Sequence, residues 1–143
     1  MAFTGAYADL SGKPTLPAGT IVGTTDAQTL TNKRIDPRAS IAASASALTP
    51  DISTFDLYGY TALAAALTIS APTGTPLAGD KLLFRFKDNG TPQTLTWSAS
   101  AGGFRAVGVT LPTTTTATKT TYVGCIYNAS DNLWDAIAVV TQA

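Results

Sequence analysis

Residues 81–90 read KLLFRFKDNG, and no other stretch limits the fold so tightly. Side chains alternate between the two faces of a strand, so Leu82, Phe84 and Phe86 point one way and Lys81, Leu83, Arg85 and Lys87 the other. A helical path would spread the three large apolar residues around its circumference, so the period of two predicts a strand. The face with Leu82, Phe84 and Phe86 belongs in a core. The Lys/Arg face belongs in water or at a polar interface. Asp88-Asn89-Gly90 is a reversal signal that ends the strand.

The same punctuation recurs through the rest of residues 39–143. SIAASASAL (40–48) carries a weak alternation of small residues, and the LTPD that comes next favours a strand over a short Ala-rich helix. STFDLYGYTAL, ALTISAP, QTLTW, FRAVGVTLP, TKTTYVGCIYN and LWDAIAVV come after it, separated by Gly, Pro, Asn and Thr clusters. In the last run Leu133, Ile137 and Val139 are expected on one face, with Trp134, Ala136 and Ala138 on the other. Short strands with regular turn signals predict an all-β body, an antiparallel β-sandwich of jelly-roll-like character. A jelly roll and an immunoglobulin-like strand order both fit.

Residues 1–38 are of another kind. Pro14, Pro17 and Pro37 remove backbone donors, and Gly5, Gly12, Gly19 and Gly23 loosen the chain. Phe3, Tyr7, Leu10, Leu16, Ile21, Val22, Leu30 and Ile35 are too widely spaced for one helix face. They suit an extended arm that places one side chain at a time into pockets. Ordering such an arm costs roughly 1–2 kcal/mol per residue, so a partner must supply the contacts. The docking residues expected are Phe3, Tyr7, Leu10, Pro14 and Leu16. Ile21, Val22, Leu30 and Ile35 would contact the body or neighbouring molecules. Lys33, Arg34 and Arg38 either pair with acidic groups of the partner or are solvated turn residues.

Charge excludes several partners. Nine basic residues balance nine acidic ones, so the clustered cations that nucleic acid or an anionic membrane surface requires are not expected. Only 13% of residues are charged, against about a quarter in an ordinary soluble domain, which suggests a surface largely covered in the working state. No stretch reaches the roughly twenty apolar residues of a membrane-spanning helix. The first ten residues lack the basic and apolar regions of a secretory signal, so synthesis in the cytoplasm is expected.

Chemistry is sparse. The chain has no histidine and no glutamate, which removes imidazole-based catalysis, imidazole zinc sites and the calcium loop that ends in Glu. The single cysteine, Cys125, lies in an apolar run and reads as a buried small hydrophobe. Asp51, Asp56, Asp80, Asp88, Asp131 and Asp135 fall mostly in turns, where Asp bonds its own backbone. NAS at 128–130 matches a glycosylation acceptor but reads as an exposed turn. Neither a cofactor site nor a metal site is expected, and no catalytic residue. Tyr58, Tyr60, Trp97, Tyr122, Tyr127 and Trp134 could line a sugar-binding face by stacking, although aromatics on such strands are more often core or interface. An exposed Trp97 or Trp134 beside a groove would favour glycan binding.

YADLSGKPTL at 7–16 resembles a linker motif of tailed-bacteriophage fibre proteins, and GTTDAQTLTNKRI at 23–35 is similar to another recurrent segment of phage virion proteins. YTALAAALTISAPTGTPLAGDKLLFRFKDNGT, LTWSA, FRAVGVTLPTTT and KTTYVGCIYNASDNLWDAIAV resemble a small phage structural β module. The resemblance implies a homo-oligomer, most often a trimer, on the outer surface of a virion, with no enzymatic activity and no cofactor. Its partner would be the major capsid protein or another virion protein. In fibres such segments belong to much longer chains, so a head decoration or cement protein is the expected assignment. A short tail fibre or head fibre is the alternative, toward which the linker motif leans, and a glycan-binding module the next. Within the body, Tyr122, Ile126 and Tyr127 are the expected subunit contact, because both faces of that strand carry bulky side chains.

Overall fold

The computed structural model describes Asp36–Ala143. The chain divides into two units, Met1–Ile35 and Asp36–Ala143, and every described strand belongs to the second. The docking residues expected of the arm, from Phe3 to Ile35, all lie outside the described residues.

The described residues form an all-β unit of nine strands. They are β1 (Ala39–Ala42), β2 (Ala47–Leu48), β3 (Leu57–Leu63), β4 (Leu67–Ile69), β5 (Lys81–Asp88), β6 (Leu95–Trp97), β7 (Phe104–Ala106), β8 (Thr120–Asn128) and β9 (Leu133–Thr141). A six-stranded sheet has the order β1-β3-β5-β8-β9-β7, and a three-stranded sheet has the order β2-β4-β6.

The pairing is mixed, which corrects the antiparallel expectation. β1–β3, β3–β5, β2–β4, β4–β6 and β7–β9 are parallel; only β5–β8 and β8–β9 are antiparallel. The reason lies in the connections. From β1, β3 and β5 of the larger sheet the chain crosses to the smaller sheet and lays down a short strand there. Successive visits to one sheet therefore run in the same direction, and the crossover that a parallel pair needs is itself a strand rather than a helix. The run at 40–48 is split this way between β1 and β2. The Asp88-Asn89-Gly90 turn likewise sends the chain across to β6 instead of closing a hairpin.

The core holds side chains from both sheets. Leu82, Phe84 and Phe86 are essentially sealed, as their alternation requires, and share one cluster with Leu48, Leu67, Ile69 and Leu95 of the smaller sheet. Aromatic rings organise the centre. Tyr58 stacks on Phe84 and Tyr60 on Phe86, with centroids 6.4 and 6.3 Å apart. Trp97 and Phe104 meet Phe84 edge-on at 5.3 and 5.5 Å. Such edge contacts add about 0.5–1.5 kcal/mol each beyond burial. The polar tips are satisfied too: the Tyr58 hydroxyl donates to the Asp51 carbonyl at 3.0 Å, and Trp97 Nε1 to the Pro112 carbonyl at 2.8 Å.

Arg38 belongs to this unit. Its Nε donates to Asp56 Oδ2 at 2.8 Å, and its Nη1 to the Ser53 carbonyl at 2.9 Å. It is therefore paired within its own chain, through an ion pair whose two side chains stay about half exposed.

One face assignment changes in β9. A bulge at Gly124/Cys125 shifts the register opposite Ala136–Ala138. Trp134 and Ala136 stay buried, but Ile137 and Val140 are exposed and Val139 turns toward the core. The simple alternation expected of LWDAIAVV fails at that extra residue.

Candidate functional site: an apolar outer sheet face

The six-stranded sheet has one face on the core and one turned outward. Register sets the outward rows. Ala39, Leu57, Leu83, Gly124 and Ala138 line up across β1, β3, β5, β8 and β9. The next row is Ile41, Gly59, Arg85, Tyr122 and Val140. Both rows are mostly apolar or small, although the strand alternation seats them away from the core.

At one end of this face is a groove of about 450 Å³. Leu57, Leu83, Gly124, Ile126, Ile137 and Ala138 line it together with Lys81 and the Arg38–Asp56 pair. At the other end lies a polar hollow of about 320 Å³ walled by Tyr60, Thr61, Arg85, Lys87, Thr120 and Tyr122.

The three residues expected at a subunit contact separate. Tyr122 is exposed beside Arg85, and Ile126 lines the groove on the same outward face. Tyr127 is on the opposite side, packed against the core. Its ring tilts onto Trp134 at 5.2 Å and its hydroxyl donates to Asn132 Oδ1 at 2.9 Å. Sequence reading missed Ile41, Leu57, Ile137 and Val140 as members of this face. Leu83, an apolar residue among the cations of β5, was the available signal.

The carboxylates serve the fold. Asp51 accepts hydrogen bonds from the Ser53 hydroxyl and amide, which hold it below the usual carboxylate range. Asp80 accepts from the Leu77 amide. Asp131 and Asp135 share Arg105, whose Nε reaches Asp135 and whose Nη2 reaches Asp131, both at 2.8 Å. Hydrogen bonds to Asp131 and Asp135 hold the Arg105 guanidinium above its ordinary pKa. Asp88 is buried, which alone would raise its pKa. Donors from the Thr118 amide, the Thr115 hydroxyl and the Gly90 amide outweigh that and leave it below the ordinary value.

Burial pushes the Cys125 thiol up to about 12, so no thiolate stands ready at neutral pH. Among the described residues no group of three or more His, Cys, Asp or Glu side chains is placed to hold a metal ion. No helix among them is long and apolar enough to cross a membrane. Of the aromatics weighed for glycan stacking, Trp134, Tyr58 and Tyr60 are buried, and Trp97 is engaged inside the aromatic cluster.

Comparison with protein-family models, curated proteins and solved structures gives no significant match.

Proposed function

We propose that the chain is a structural protein of a tailed-bacteriophage particle. It is a decoration or cement protein of the outer head surface, homotrimeric, attached through residues 1–38, and without enzymatic activity. Its partner on the particle is the major capsid protein or another virion protein. The observation that carries this reading is the outward face of the six-stranded sheet. An apolar face this broad, on a chain with so few charges, suits a protein that works assembled. The linker-like motif at 7–16 supplies the phage context. The body, with its two sheets about one core, is read as the sandwich-like unit that the arm tethers. Three arms on one trimer would make attachment multivalent, so modest pockets per arm would still hold tightly.

A tryptophan exposed beside a groove would favour a glycan-binding module; among the described residues Trp134 is buried and Trp97 is half-buried in the aromatic cluster. Quantitative mass spectrometry of purified tailed particles, from cells in which this chain is made, tests the proposal. Many copies per particle are expected. Particles that lack the chain while it accumulates free in the lysate would overturn it.

A further inference from the structure

The outward face of the six-stranded sheet has the layout of a permanent interface, with an apolar centre and a polar margin. Ile41, Leu83, Tyr122, Ile137 and Val140 each expose between 36% and 63% of their surface on it. Together these five leave on the order of 500 Å² open, at the upper end of what a lone soluble domain exposes. Leu57, Ile126, Ala39 and Ala138 extend the area toward the ~800 Å² per partner of a standard interface. Arg105–Asp135 borders the band on one side, and Thr61, Lys87 and Thr120 border it on the other.

Arg85 stands within the apolar band, between Gly59 and Tyr122 in register. Its Nε lies 3.4 Å from where a Cβ on Gly59 would be, so the guanidinium rests against the glycine. The other two arginines of the described residues are held by carboxylates, Arg38 by Asp56 and Arg105 by Asp131 and Asp135. Among the described residues Arg85 has neither an ion pair nor a side-chain hydrogen bond. Arginine and tyrosine side by side within an apolar patch are the residue types that carry most binding energy at protein contacts.

We propose that this face seats a second copy of the chain, with an apolar side chain of that copy in the groove and an acceptor oxygen of it on Arg85. The inference rests on reading the protein as an assembly protein, and it names the surface that assembles. A second copy fits better than a foreign partner for two reasons. Contacts that form and part are about as polar as ordinary surface, whereas permanent contacts between like subunits are more apolar, as this face is. A formal net charge of zero also gives little repulsion to keep like copies apart. Lys81, Arg85 and Lys87 all project outward from β5, so a two-fold contact laying β5 on β5 would set like charges together. A ring-forming contact, in which β5 meets a different strand of the next copy, avoids that.

Gly124 supplies a clean test. A Cβ there would meet only Ala138 Cβ, at 3.6 Å, an ordinary contact, so the isolated chain tolerates it, whereas a valine would occupy part of the groove that an entering side chain needs. Sedimentation equilibrium of the full chain across a concentration series reads the association directly. Gly124→Val is expected to weaken it at least tenfold with thermal stability unchanged, and Val140→Thr to weaken it severalfold. Arg85→Met, which keeps the apolar stem but removes the donors to the acceptor, is expected to weaken it at least tenfold. Leu77→Ser, which alters an exposed apolar residue in the loop before β5, is expected to change nothing.

A wild-type chain that stays monomeric overturns the inference. So does association that survives Gly124→Val, or that Arg85→Met leaves equal or stronger. An oligomer that never joins particles would sink the virion reading and leave this surface standing; a monomer that joins them would sink this surface and the trimer and leave the place on the particle standing.

Discussion

Asp88 Oδ1 accepts the backbone N–H of Thr118 at 2.9 Å, a bond spanning thirty residues of chain. It fixes the loop before β8 to the end of β5, and it does so at a residue of unusual backbone. Thr118 has φ of 64°, in the left-handed region that a β-branched side chain rarely enters. The carboxylate thus holds a strained residue in place. Its second oxygen accepts the Thr115 hydroxyl at 2.8 Å, and Thr115 in turn accepts the Gln93 amide at 2.8 Å.

Asp88→Asn is expected to lower stability at neutral pH by about 1–2 kcal/mol, because one of its buried donors loses a charged acceptor. The pH dependence has a definite sign. The folded-state pKa of Asp88 lies below the ordinary value, so its contribution is complete above the unfolded-state pKa of about 4 and is lost as pH falls through the folded value. Urea denaturation between pH 7 and pH 2 should show a shallower acid slope in Asp88→Asn than in the wild type. The slope does not vanish, since Asp51 is depressed as well.

Thr118→Gly should stabilise the protein. Relief of the left-handed strain is worth about 1–2 kcal/mol and the added freedom of glycine in the unfolded chain costs about 0.5–1, leaving a net gain of about 0–1.5 kcal/mol. A higher urea midpoint with unchanged slope checks it. A lower midpoint would mean that the threonine side chain contributes more than its backbone costs.

Gly103 turns the chain into β7 directly against the Ser98 carbonyl. A Cβ at this position would overlap that oxygen and stand 2.8 Å from the Ser100 carbonyl, and both are backbone atoms that cannot swing away. Gly103→Ala is expected to cost about 1–3 kcal/mol. It should also disturb Trp97 fluorescence, because Phe104 next to it packs edge-on against Trp97 at 5.1 Å.

Alternation in KLLFRFKD identified the buried face of β5, and the runs around Tyr58, Leu67, Leu95 and Tyr122 marked where strands would lie. Direction was not legible. Gly, Asn and Asp turns end parallel and antiparallel strands alike, and nothing in the sequence shows that β2, β4 and β6 are short crossings to another sheet. The outward face was half legible for a related reason. Its members are spread over β1, β3, β5, β8 and β9, so no local run displays them, and a bulge disturbs the alternation around Ile137 and Val140. Arg38 read as a spare cation because its partner Asp56 lies eighteen residues away.

Co-sedimentation with particles tests the central claim most directly. Full-length chain would be mixed with purified heads lacking decoration, and separately with purified tails, beside a full-length variant carrying Tyr7→Ala, Leu10→Ala and Leu16→Ala. The account predicts that the wild type pellets with heads at saturable stoichiometry and that the triple variant loses at least tenfold in affinity while keeping its fold. Wild-type chain that pellets with neither heads nor tails would contradict it, and binding to tails alone would make the protein a fibre component instead.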